Sequence, residues 1–269
     1  MRDKIYNMRK MLVSLIILAL LLGIGGAVRP ALAQDEARLA QTLADHNISG
    51  QAWLNPLGIA IKNAVEHGVS AETVSLLLLF PLTAALVAFS RQVLGLSGFG
   101  IFTPALVAMA FLVTGIPAGV ILFLAIILAA TISRYLISKV KLPYLPRMSI
   151  LIWAVSLVVL ILLLLSPALG LDRLVRMGIF PVLLYVMLAE SYIEAQITRT
   201  WQSAALMTGE TIGIAIFASI LMGLPLVQEW VLINPEISVL AILLLDWLIG
   251  KYKGLRVMEV WRFRKIIKF

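Results

Sequence analysis

Between residues 72 and 250 the sequence holds seven mainly apolar runs, at about 72–93, 99–115, 116–136, 147–168, 175–192, 204–225 and 235–250. A helix needs roughly 20 apolar residues to cross the hydrocarbon core of a bilayer, and most of these runs approach that length. Backbone groups in that core must be paired within the protein, which restricts spans to helices or closed barrels. The rest of the composition agrees. Hydrophobic residues make up 61% of the 269-residue chain and charged ones 13%, where a soluble domain carries about a quarter. The fold class is therefore all-α, a polytopic membrane protein with seven transmembrane helices.

The first residues have a separate purpose. Arg2, Lys4, Arg9 and Lys10 precede "MLVSLIILALLLGIGG", and "ALAQ" follows with small residues at Ala31 and Ala33. This is the layout of a secretory signal peptide; the alternative is an uncleaved anchor, and either places Gln34 onward outside. Residues 34–71 are polar, and "NPLGIAIKNAVEHGVS" alternates at helical spacing, as an interfacial helix does. The chain thus divides into a signal peptide (1–33), a short extracytoplasmic segment with an interfacial helix (34–71), a seven-helix membrane domain (72–250) and a basic cytoplasmic tail (251–269).

Charge placement tests this topology. With the first span entered from outside, Arg91, Arg134, Lys139, Lys141, Arg147 and Arg199 all fall inside, as do the many basic residues of the tail. Outside connections mix Arg173 and Arg176 with Asp172, Glu229 and Glu236. The bias follows the positive-inside rule and agrees with the direction set by the signal peptide. The expected location is the plasma membrane, with the mature N-terminus outside and the C-terminus in the cytoplasm. The net charge of +8 is accounted for by topology, so no nucleic-acid partner is expected.

Two similar strings open the second and fifth spans: "GFGIFTPALVAMA" at Gly98 to Ala110 and "GIFPVLLYVMLAE" at Gly178 to Glu190. On the expected topology they run in opposite directions, three spans apart. That is the pattern of an inverted repeat, spans 1–3 against 4–6, and interrupted segments at matching places point to a binding site between the halves. The alternative is that Pro104 and Pro181 occupy ordinary first turns, where proline costs little.

Acids within apolar spans are expensive. Glu190 and Glu194 lie one turn apart near the inner end of the fifth span, Glu210 sits in "MTGETIG" beside Thr208 and Thr211, and Asp246 interrupts "ILLLDWLIG". They either pair with Arg134, Arg91 or Arg147 or carry protons and cations. Glu194 is simplest as a wetted interfacial group, and Asp246 has Lys251 nearby as a partner. Glu190 and Glu210 are the functional candidates. The chain has no cysteine, and its only histidines, His46 and His67, precede the first span. No metal-binding, nucleophile-elbow or phosphate-cradling motif is present, so no enzyme, metal or cofactor is expected. In the tail, Arg256, Glu259 and Arg262 recur every three residues, the spacing of a charge ladder on a helix. Lys251, Lys253, Arg256, Arg262, Arg264 and Lys265 suit the anionic inner leaflet or a docked partner.

From Glu72 onward the chain resembles a bacterial seven-transmembrane family usually fused to an inactive transglutaminase-like domain. The matching pieces are "RQVLGLSGFGIFTPALVAMAFLVTG", "LPYLPR", "FPVLLYVMLAE", "NPE" and "GKYKGLRVMEVWRF". Between the signal peptide and the first span there is no room for the fused domain. More distantly, "GLSGFGIFTPALVAM" and "LPYLPR" look like the small integral subunit of poly-gamma-glutamate synthesis complexes. These resemblances imply a cytoplasmic ATP-grasp ligase as partner and an amide-linked, acidic amino-acid polymer or peptide as cargo; a homo-oligomer is compatible with them. The site expected for such a cargo comprises Gly98, Gly100, Thr103, Pro104, Gly178, Pro181, Glu190, Glu210 and Arg134, with helix N-termini facing the anionic groups. The competing expectation is a scaffold that anchors the ligase through its basic tail and transports nothing.

Overall fold

A computed structural model of the chain describes residues 32–45, 55–138, 143–166, 182–187, 189, 192–193 and 201–259. Among them there is no strand. The helices are α1 (Leu32–Asp45), α2 (Pro56–Glu66), α3 (Ala71–Phe89), α4 (Phe102–Thr114), α5 (Ile116–Ser138), α6 (Tyr144–Leu165), α7 (Trp201–Met222), α8 (Pro225–Ile233) and α9 (Pro235–Lys251). Residues 182–187 add a short helical piece. Among the described residues, four helical stretches are long and apolar enough to cross a bilayer: Ala71–Leu94, Ile116–Ile137, Leu145–Leu165 and Gln202–Met222. These match the first, third, fourth and sixth expected runs within a few residues. The chain forms two compact units, residues 1–97 with 217–269 and residues 98–216. Neither coincides with a half of the expected repeat, and Gly178 and Pro181, on which that repeat rests, lie outside the described residues.

The first unit is built on α3 and α9. Ser70 caps α3, its hydroxyl accepting from the Thr73 amide. The helix then widens into a π-helical turn over Ser90–Leu94, where the Leu96 amide reaches back to the Ser90 carbonyl. Gly95 ends it with φ +84, a left-handed conformation that a side chain would oppose. Helices α8 and α9 meet at 107°. The break falls at Asn234, outside helical geometry, because Pro235 disfavours a helical residue before it and contributes no amide. Helix α9, with 17 residues, is the counterpart of the seventh run.

Near the start of α3 and α9, three short helices form a cap. Leu39 and Leu43 of α1 lie one turn apart and bury fully against Ile61, Ala71 and Leu232. Each such side chain contributes about 1.5–3 kcal/mol on leaving water. At its edge, Arg38 Nε lies 3.1 Å from Glu229 Oε1, and Glu236 Oε1 accepts from the Gly58 amide at 3.0 Å. Helix α2 falls where a helix is expected from the spacing of "NPLGIAIKNAVEHGVS". Helix α1 was not anticipated, because its polar stretch shows apolar residues only at Leu39, Leu43 and a few flanking positions.

In the second unit α4 has only 13 residues, about 20 Å at 1.5 Å each, short of a bilayer's hydrocarbon core. Non-helical backbone over residues 95–101 precedes it. Gly115, at φ +79, turns the chain sharply into α5, which packs along α6. One stripe of α6, Leu151, Val155 and Val159, is buried, and the rest of its surface is largely exposed and apolar, as suits contact with lipid. A buried aromatic group holds this unit together. Tyr185 is flanked by Phe111 and Phe123 at ring-centroid distances of 6.3 and 5.8 Å, and its hydroxyl lies 3.5 Å from Thr114 Oγ1. Gly119 fits beneath them.

Candidate functional site

The broken start of the second span and the middle of α7 come together within the second unit. Gly98 and Phe99 are buried, and the Phe99 amide donates to Thr211 Oγ1 at 3.1 Å. Thr211 in turn donates to the Met207 carbonyl at 2.7 Å. A free amide at this depth has no water to turn to; here one hydroxyl serves both as acceptor for the broken segment and as donor to its own helix. Tyr192 meets the Phe99 ring edge-on at 6.2 Å. A side chain on Gly98 would come within 3.2 Å of the Thr211 hydroxyl, so glycine is what lets the segment approach α7.

Glu210, next to Thr211, is 3% exposed. Gly98 thus approaches α7 at Thr211 and Ile214, one residue along the helix from Glu210. Gly100, by contrast, is exposed with φ +35. Thr103 is half-buried and Pro104 buried, the second and third residues of α4. For Pro104 the interruption and the first turn are the same feature, since the helix begins just after the broken segment. Arg134 is half-buried near the C-terminal end of α5. Gly178, Pro181 and Glu190 lie outside the described residues, as does Glu194. The second unit also has a cleft of about 160 Å³ between α6 and the helical piece, lined by Leu151, Val155, Val186 and Ile193 among others. Its lining is apolar, which suits a lipid tail or a packing gap rather than an anionic group.

The sequence reading missed Phe99 and the group Thr114, Gly119 and Tyr185. In the sequence Thr211 stands out only as a neighbour of Glu210. Its role depends on a partner 112 residues away, and nothing local announces it.

Of the basic tail, Lys251, Lys253 and Arg256 are exposed; Arg262, Arg264 and Lys265 lie outside the described residues. The expected ladder takes another form. Helix α9 ends at Lys251 and the chain bends at Gly254, so Arg256 precedes the next helical residues, and Glu259 Oε2 accepts from its backbone amide at 3.3 Å. Lys251 does not take Asp246 as partner; its ammonium lies 3.6 Å from the centre of the Trp247 ring.

Long apolar helices, a broken span and an acid buried at depth define a polytopic helical membrane protein. Over residues 27–267 the chain matches the family described as seven transmembrane helices usually fused to an inactive transglutaminase, and it belongs to that family. No curated protein and no solved structure matches it.

Proposed function

We propose that the chain is a non-enzymatic inner-membrane protein that handles or exports an amide-linked, acidic amino-acid polymer or peptide made by a cytoplasmic ATP-grasp-type ligase. The single observation that supports a transport site is Glu210, 3% exposed within a span and adjacent to the residue that holds the broken segment. Acids at such depth typically mark proton or ion pathways. In this reading Glu210, with Glu190, couples protons or positions cations that bridge to the cargo. Gly98, Gly100, Thr103 and Pro104, with Gly178 and Pro181, frame the site, and Arg134 meets the cargo's carboxylates. The cargo and the ligase come from the resemblance of the loop and span motifs, and the inverted repeat supplies the second half of the site. A test is uptake of a fluorescent glutamate oligomer by vesicles containing the purified chain. Wild type should accumulate it and Glu210→Gln should not; equal uptake by both would refute the reading.

A second reading, a scaffold that holds the ligase and moves nothing, is favoured by the close packing at Gly98, where a methyl group would press on Thr211. It requires that removing residues 251–269 release the ligase, and that Glu210→Gln have no effect on product leaving the cell.

A further inference from the structure

We infer that residues 251–259 form a preshaped hook that seats the phosphate of an anionic lipid at the membrane surface, an assignment independent of the cargo reading. The hook is built, not merely basic. The Tyr252 ring folds back over Gly254, where a side chain would come within 2.7 Å of it, and the Tyr252 hydroxyl donates to the Leu255 carbonyl at 2.9 Å. The chain is thereby turned back onto the end of α3. There the Arg256 stem lies against Gly95: an added Cβ would sit 3.2 Å from Arg256 Cβ and 3.3 Å from its Cδ, with Met258 at 3.5 Å. The left-handed Gly95 that ends the first span is therefore also the seat of the arginine stem. Glu259 closes the hook on the Arg256 amide, and the Glu259 amide returns to the Arg256 carbonyl at 2.7 Å.

The stem of Arg256 is held while the residue as a whole stays exposed, as are Lys253 and Lys251. The level is set by Trp247, an exposed aromatic beneath the Lys251 ammonium, since tryptophan settles at headgroup depth. Exposed Leu243, Leu244 and Leu248 lie around it on α9. Cations fixed immediately past an acyl-facing helix end meet a lipid phosphate in preference to a soluble one, because the acyl chains bind alongside. A loose polybasic tail would attract the leaflet through its summed charge alone; a hook adds position.

These alternatives differ at Glu259 in whether glutamine and alanine behave alike. The full-length protein is placed in neutral-lipid nanodiscs and titrated with phosphatidylglycerol carrying brominated chains, with tryptophan quenching as readout. Glu259→Gln and Glu259→Ala remove the same charge, but only glutamine retains an oxygen for the Arg256 amide. The hook predicts that Glu259→Ala binds about fivefold more weakly than Glu259→Gln, about one ordered basic residue's worth. Summed charge predicts that both bind alike and more tightly than wild type, and that result would overturn the inference. A second pair needs no cap. Arg256→Gln should lose affinity about fivefold, while Lys268→Gln, an equal change of charge, should lose far less; equal losses would count against the hook. Inorganic phosphate at matched ionic strength should leave the lipid bound. Displacement by it alone would reassign the seat to a soluble anion.

Discussion

Substituting Gly119 by alanine puts the packing of the second unit to a direct test. A methyl group there would come within 2.5 Å of Thr114 Oγ1, 2.6 Å of Phe111 Cδ1 and 2.9 Å of the Tyr185 hydroxyl. None of the three has room to move. Thr114 is held by its bond to the Ala110 carbonyl at 2.8 Å, and Phe111 and Tyr185 are fully buried. Overpacking of this kind costs about 1–3 kcal/mol. Displacing Tyr185 from Thr114 adds about 0.5–1.5 kcal/mol, and the better helix propensity of alanine returns at most about 1 kcal/mol. The net is about 2 kcal/mol of destabilisation, or roughly 4–8 °C in Tm for a chain of this size. Thermal unfolding of purified protein in detergent, followed by tryptophan fluorescence, measures it. Gly250→Ala is the control, since nothing lies within 4 Å of the added methyl, and it should match or slightly exceed wild type. Adding Tyr185→Phe to Gly119→Ala should recover part of the loss. Gly119→Ala as stable as wild type would refute the close packing on which the second unit's architecture depends.

Three further outcomes follow from the same contacts. Thr211→Val, which strands the Phe99 amide at depth, should destabilise by about 1–3 kcal/mol, and Thr211→Ser, which keeps the hydroxyl, by much less; denaturant titration of the purified protein measures both. In the cap, Leu39→Ala should cost about 2–5 kcal/mol. Arg38→Met should cost under about 1 kcal/mol, because its pair with Glu229 is only partly buried, at 35% and 29% side-chain exposure; protease resistance of the segment carrying α1 and α2 compares the two. Pro235→Ala removes a residue that breaks the α8–α9 joint and should straighten it, which a pair of spin labels on α8 and α9 would report as a longer separation.

Much of the helix layout could be read from apolar run lengths, because a span is a local property: α3 with its π-helical turn, α5 and α9 fall within two residues of their expected limits. Where structure depends on distant partners, the sequence was silent. Helix α1 exists through Leu39 and Leu43 meeting Leu232, almost two hundred residues on. The bend at Asn234 looked like an ordinary connection because α8 is short and apolar like a span edge. The candidate site was half legible. Gly98, Pro104 and Glu210 stood out, as glycine, proline and an acid do in a greasy chain, whereas Thr211 looks like any helical threonine bonded back to its own turn. Of the charge ladder in the tail, Arg256 and Glu259 meet through the Arg256 amide, while Arg262 lies outside the described residues.

The central claim is that the broken segment before α4 meets an anionic cargo, and a single cysteine reports on it directly, because the natural chain has none. Thr103→Cys, in the first turn of α4, should react with a membrane-impermeant maleimide applied to one side of sealed vesicles, and a glutamate oligomer should protect it. Labelling that ignores the oligomer, from either side, would contradict the claim.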